Sequence, residues 1–217
     1  MKLLIIGANG KVARLIEDKI VTDDQYKDID LTLLLRNKSR LSKYEKEKQV
    51  TLIEGDTSDT ELLTTLMNDA DMVYVAFADD FDDATNNIID AAKDARLTCI
   101  ISSSSIGLLN EEPNPDFAKW NQSMLGKILP GLRAARDRYE KSGLNYVIMR
   151  FAWLNDLDEV KYEITDQTEK FAGTGVSRKS VADAILKVIK DPGAYKNEII
   201  GISDPSTKNV KSYDVHF

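Results

Sequence analysis

Cysteine and histidine are nearly absent from this chain: among 217 residues, Cys99 is the only cysteine and His216 the only histidine. One cysteine cannot close an intramolecular disulfide. One penultimate histidine leaves no histidine-based zinc site and no Ser-His-Asp triad within a single chain, so no metal is expected. Positive charge is also short, with 36 acidic against 29 basic residues and a formal charge of -7. Phosphate backbones need clustered Lys and Arg, so nucleic acid is not an expected partner. No apolar run approaches the length of a membrane span, which excludes a membrane helix as well. Met1-Lys2 runs straight into an apolar segment without a secretory h-region, and a cytoplasmic setting is expected. "ADDFDDA" gathers Asp79, Asp80, Asp82 and Asp83, but without calcium-loop spacing, and acids at a helix start are favoured by its dipole.

What is present is the material of a soluble globular domain, 42% hydrophobic and 30% charged, over a length that fits one domain, 1–217. Short β-branched or leucine-rich runs recur at Leu3–Ile6, Leu31–Leu35, Val50–Glu54, Met72–Phe77, Thr98–Ser103, Tyr146–Phe151 and Glu198–Ile202. Between them, segments such as Ala84–Ala95 and Val181–Ile189 place apolar residues at helical spacing. Alternation of this kind predicts an α/β fold, a doubly wound and mainly parallel sheet with helices on both faces. Two stretches fit no such unit, about 109–143 and 154–174, and no repeat or low-complexity linker divides the chain. Ligands of open α/β sheets sit beyond the carboxyl ends of the strands, so both stretches are expected to roof a site there.

The first strand ends in "GANGKVA", Gly7 to Ala13. Strand before and helix after is the context a dinucleotide-binding turn requires. Glycines let the turn form and let a pyrophosphate approach the main chain, while the helix presents unpaired N–H groups at its positive end. Ala13 takes the third motif position, where close helix–strand packing accepts alanine. The second strand then ends in "LLLRNKSRL". A fold selective for NAD places Asp or Glu there for the ribose hydroxyls, whereas Arg36 and Arg40 offer guanidinium groups to a 2′-phosphate. NADP(H) is therefore the expected cofactor, ahead of NAD(H).

With "IIGANGKVA", "LLLRNKSRL", "IEGDTSD", "VYVAFA", "IISSSSIG", "SGLNYVIMRFAWL" and "GVSRKSVADAIL" in this order, the chain resembles the atypical short-chain dehydrogenase/reductases. More narrowly it is similar to the NAD(P)H-binding group of NmrA-like, biliverdin-IXβ/flavin-reductase-like and quinone-reductase-like proteins, over essentially its whole length. That resemblance implies a Rossmann-type domain in which Gly7, Asn9, Gly10, Lys11 and Val12 meet the pyrophosphate, Arg36 the 2′-phosphate, and Asp56 with Thr57 the adenine. Ala76, Phe77 and Ala78 would line the ribose and the bridge to the nicotinamide, with Ser102 beside them. Asp56 also has a plain reading, as part of a helix N-cap in "GDTSD".

The chain departs from the superfamily in its catalytic pair. A Tyr-x-x-x-Lys pair should lie on the helix after strand five, where lysine tunes the phenol for proton exchange. Between Pro115 and Lys141 the only tyrosine is Tyr139, and four residues later stands Gly143. The sole Tyr-x-x-x-Lys match, Tyr44 to Lys48, precedes strand three. Of the strand-end serines, Ser104 aligns best with the family's serine and Ser103 second, either as a substrate-bonding hydroxyl or as a group satisfying loose backbone. Arg133, near the place of the missing lysine, reads as an anchor for the cofactor or as part of a solvated basic face.

Hydride transfer belongs to the cofactor, so a planar acceptor stacked over the nicotinamide needs orientation more than an acid. Phe117, Trp120, Met124 and Trp153 are candidates for an apolar acceptor pocket. The expectation is an NADPH-preferring reductase of a small-molecule acceptor such as a flavin or quinone. The alternative is a non-catalytic NADP(H) sensor that answers to a protein partner.

Overall fold

The seven short apolar runs become seven neighbouring strands of one sheet. The computed structural model describes residues 1–78 and 82–214, with the backbone alone for Asp82 and Asp83, so the acidic cluster and His216 fall outside the described side chains. Strands β1 (Lys2–Ile6), β2 (Asp30–Leu35), β3 (Val50–Glu54), β4 (Met72–Val75), β5 (Ile100–Ser105), β6 (Tyr146–Phe151) and β10 (Glu198–Ser203) run parallel, and β8 (Glu163–Thr165) joins antiparallel at the edge. The order is β3-β2-β1-β4-β5-β6-β10-β8, so the chain reverses direction across the sheet between β1 and β4. Register there is fixed by Ile6, which faces Leu34 on one side and Val75 on the other.

Strands buried on both faces explain why the runs are continuous and not alternating. On one face Leu3 and Ile5 pack with Ala13, Ile16 and Ile20 of α1 (Lys11–Thr22) and with Val181, Ile185 and Val188 of α6 (Arg178–Lys190). On the other, Leu4 and Ile6 meet Leu63 and Met67 of α2 (Thr60–Asn68), Ile88 and Ala92 of α3 (Asp82–Asp94), and Leu132 of α5 (Leu129–Lys141). Among the described residues no helix is long and apolar enough to cross a membrane.

Three differences from the expected elements bear on the site. β4 stops at Val75; Ala76 still donates its N–H to the Ile6 carbonyl, and Ala76 and Phe77 line the cavities described below. β5 starts at Ile100 and holds all of Ser102 to Ser105, paired with β6 as far as Ser105 opposite Phe151. The segment 154–174, expected to be irregular, contains β8 and connects the two strands of a second ribbon, in which β7 (Trp153–Asn155) pairs with β9 (Gly175–Ser177). Three-residue strands are too short to show a readable period.

The loop after β5 is held from two sides. Arg150, fully buried on β6, pairs with Glu111 at 3.0 Å, and Glu111 accepts from the N–H groups of Gly107 and Leu109. Arg133 on α5 donates to the carbonyls of Leu108 (2.9 Å) and Gly107 (2.8 Å) and to Asn110 Oδ1. Removing either partner of a buried charge pair leaves the other uncompensated, so this loop is fixed by charge as well as by packing.

Candidate functional site

Beyond the carboxyl ends of the strands lie two cavities that share Gly10. The larger, about 730 Å³, is lined by Gly7, Asn9, Gly10, Arg36, Asn37, Arg40, Asp56, Thr57 and Phe77, among others. The second, about 540 Å³, is lined by Lys11, Val12, Ala76, Ala78, Ser103, Ser104 and Trp153 together with Tyr74, Leu125, Ile128, Leu154 and Arg178. The crevice thus sits at the switch between β1 and β4, where open α/β sheets bind their ligands.

The two glycines of the turn are needed for different reasons. Gly7 has φ +82°, and a Cβ there would come within 2.9 Å of the Phe77 ring, so the fold itself requires glycine. Gly10 has φ -63° and ψ 148°, open to any residue, and an added Cβ would meet nothing closer than the Gly7 carbonyl at 3.4 Å. Nothing in the fold demands glycine at Gly10, which lines both cavities. Gly10 is also the N-cap of α1 and supplies no side-chain cap, whereas Asp59, Asn114 and Ser177 cap α2, α4 (Pro115–Leu125) and α6. The first turn of α1 therefore carries donors without a side-chain acceptor and no acidic residue. A pyrophosphate on a bare main-chain surface fits that combination.

At the outer end of the larger cavity Arg36 and Arg40 are exposed, and neither guanidinium has an ion-pair partner among the described residues. Asn37 holds the turn that presents them by accepting from Ser39 N at 3.1 Å. Asp56 accepts from Ser58 N at 3.0 Å, and the N-cap of α2 is Asp59, which accepts from Leu62 N at 2.9 Å. Asp56 thus shapes the loop and leaves the cap to Asp59. Asn87, which lines the same cavity, donates to the Thr57 carbonyl.

In the second cavity the structure brings Ser103 and Ser104 to the wall, and the Ser103 hydroxyl lies 3.0 Å from the Tyr74 hydroxyl of β4. Burial holds the Tyr74 phenol above its usual range, Glu17 raises it further, and the Ser103 hydrogen bond acts the other way. Tyr74 is therefore neutral around physiological pH. Its helical counterpart Tyr139 is buried behind the sheet against Ser102, with its phenol pushed up to about 12 by burial. Tyr44 donates to Asp18 at 2.7 Å and lines neither cavity.

Several expected site residues lie elsewhere. Arg133 lines neither cavity, because its guanidinium is committed to the loop after β5. Ser102 faces a small internal space beside Tyr139. Phe117 is fully buried, its ring 5.5 Å from Trp120 and 6.3 Å from Tyr213, and serves the core. Trp120 and Met124 do not reach the cavity wall, but Trp120 packs its ring 4.5 Å from Trp153, which does. Trp153 is fixed from below by donating Nε1–H to Asn121 at 2.7 Å. One position past Met124, Leu125 lines the wall with Ile128, because the helix turns its next residue inward. Of these lining residues, Tyr74 and Arg178 lie within "VYVAFA" and "GVSRKSVADAIL" without standing out there, and Leu125 and Ile128 are apolar positions of the long stretch after β5.

A model of NAD(P)H-binding proteins matches residues 7–192. The chain belongs to that NAD(P)H-binding family. A Rossmann-fold NAD(P)-binding family protein from Shigella flexneri is 34% identical, with a TM-score of 0.79 over 99% of this chain and 98% of its own. A short-chain dehydrogenase/reductase from Veillonella parvula DSM 2008, solved in complex with NADP, is 28% identical, with a TM-score of 0.89 over 97% and 98%. ChuY, an anaerobillin reductase from Escherichia coli O157:H7, reaches a TM-score of 0.80 over 98% and 100% at 19% identity, a likeness of fold alone. No curated protein matches. Family membership makes the chain an NAD(P)H-binding protein, and the glycine turn, the uncapped helix and the paired cavities fit that cofactor.

Proposed function

We propose that this protein is an NADPH-dependent reductase that passes hydride to a planar acceptor, such as a flavin or quinone, without a Tyr-x-x-x-Lys pair. The observation that carries the reading is the wall that two unlike cavities share at Gly10, one lined by free guanidinium groups and the other by Trp153, Leu125 and Ile128. Gly7, Asn9 and Gly10, with Lys11 and Val12 beyond them, would hold the pyrophosphate. Arg36, seconded by Arg40, would hold the 2′-phosphate, and Asp56 and Thr57 the adenine. The NADP bound to the Veillonella protein supports the same preference.

When bound, the dinucleotide supplies the hydride. The chain's own task is to place an acceptor ring against Trp153, exclude water with Leu125, Ile128 and Leu154, and donate a hydrogen bond to the reduced acceptor. Ser103, oriented by the neutral Tyr74 hydroxyl, serves that last role, with Ser104 beside it. NADPH oxidation measured against flavins, quinones and biliverdin is the test, and turnover with at least one is expected. Tight NADPH binding without turnover of any would overturn the reading and leave a non-catalytic sensor with a protein partner as the better account.

A further inference from the structure

The acceptor cavity sits in a chain of net charge -7, yet among the described residues the only charged side chains on its wall are two cations, Lys11 and Arg178. Lys11 opens α1 directly after Gly10, on the pyrophosphate side. Arg178 opens α6, directly after β9. Both are held from outside by one carboxylate: Asp156, just past β7, accepts from Arg178 Nη1 at 2.6 Å and from Lys11 Nζ at 3.4 Å. Asp156 is 67% exposed and lines neither cavity, whereas the Arg178 side chain is only 21% exposed. An ion pair with one arm in water is weak, because solvent screens it and ordering the side chains opposes it. An arriving oxyanion can therefore displace Asp156 from a guanidinium that the fold already orients.

We infer that Arg178 is a specificity residue for the acceptor, binding a phosphate or carboxylate carried on a side arm of the planar ring while Asp156 holds the guanidinium in place until that group arrives. The inference rests on the reductase reading for the ring and on the cavity alone for the charge. Apolar walls would take the ring and leave it indifferent to its arm. Arg178 would make the arm count.

FMN and riboflavin share one ring system and differ by a phosphate, so they separate the two contributions. Quenching of flavin fluorescence, titrated with protein already loaded with NADP+, should show FMN binding tighter than riboflavin. Arg178→Gln should weaken FMN by roughly ten- to hundredfold, the worth of a charge-assisted contact. It should leave riboflavin and NADP+ at wild-type strength. Asp156→Asn, which removes the competing carboxylate, should tighten FMN a few-fold and leave riboflavin unchanged. Biliverdin and its dimethyl ester, titrated in the same way, distinguish carboxylate from phosphate as the anion preferred. Equal affinity within both pairs, FMN with riboflavin and biliverdin with its dimethyl ester, no binding of any of the four, or a loss of NADP+ affinity in place of acceptor affinity in the Arg178 variant would overturn the assignment. Arg178-dependent FMN binding without any NADPH oxidation would instead remove the reductase reading and leave the anion site standing.

Discussion

The two halves of the crevice are built differently. The adenosine half is assembled mainly within the first sixty residues, from the turns after β1, β2 and β3, with Phe77, Ala84 and Asn87 closing it, and its polar residues lie close to their strand ends in sequence: Gly7, Arg36 and Asp56. The acceptor half is gathered from Lys11, Tyr74, Ser103, Leu125, Trp153 and Arg178, spread over most of the chain. A ligand that is the same in every member of a family can be met by a fixed turn, whereas a varying acceptor is met by whatever the later loops bring over the same sheet. The first half therefore depends on local backbone geometry, and the second on how loops are anchored.

Gly10 belongs to both halves, and its replacement should have the largest effect. Gly10→Ala is compatible with the backbone there and creates no contact under 3.4 Å. Thermal stability should hold or rise slightly, since losing glycine's freedom in the unfolded chain is worth about 0.4–1 kcal/mol. NADPH affinity should fall by about a hundredfold or more, because the methyl occupies the main-chain surface that a pyrophosphate approaches. A calorimetric titration beside a melting curve reads both. Unchanged affinity would place the pyrophosphate elsewhere and undo the division into halves.

Glu17 tests the floor common to both. It lies on α1, fully buried, with neither carboxyl oxygen partnered, and burial together with Asp18 pushes its carboxyl up to about 8 from 4.5. A carboxyl raised on folding is most compatible with the fold while protonated. Its contribution is intact below pH 4.5 and is lost as pH rises towards 8. Between pH 5 and 7.5 the loss should be roughly 3 kcal/mol, and Glu17→Gln should flatten that slope. Urea midpoints at the two pH values check it. An equal slope in both proteins would show that Glu17 ionises as it would in water. The variant should bind NADPH and acceptor as the wild type does, since it lines neither cavity.

Arg36 separates the halves cleanly. Arg36→Ala should weaken NADPH by one to two decades, the roughly 1.5–3 kcal/mol of charge-assisted phosphate contacts, and leave NADH nearly unchanged. Equal losses would show that Arg36 does not read the 2′-phosphate.

The same division explains what was legible in the sequence. All seven long strands and the turn at Gly7–Gly10 follow from local pattern, because strand burial and backbone angles leave their mark within a few residues. The walls of the acceptor half do not. Phe117, Trp120 and Met124 read as cavity residues because composition does not tell which side of a helix faces a cavity, and Leu125 is next to Met124 in sequence but on another face. Arg133 reads as a cofactor anchor or a solvated basic face because it falls near the place of the missing lysine, whereas its guanidinium is turned to the loop carbonyls at Gly107 and Leu108. β7, β8 and β9 leave no such mark, because their pairing partners, and not their own three residues, make them strands.

Tyr74 is the clearest case, and its replacement should have the smallest effect. In sequence it is one residue of a buried strand, "MVYV", with nothing to separate it from core. In the structure its hydroxyl meets Ser103 at the wall of the acceptor half. Tyr74→Phe keeps the ring and removes a single neutral hydrogen bond, worth about 0.5–1.5 kcal/mol. If Tyr74 orients Ser103, kcat should fall by roughly three- to tenfold with NADPH affinity unchanged, and the solvent isotope effect should rise as proton delivery becomes slower. A purely structural tyrosine would lower the melting temperature without touching the isotope effect. Ser103→Ala should reproduce the kinetic change, and the double variant should be no slower than the slower single one, because the two hydroxyls act as one unit.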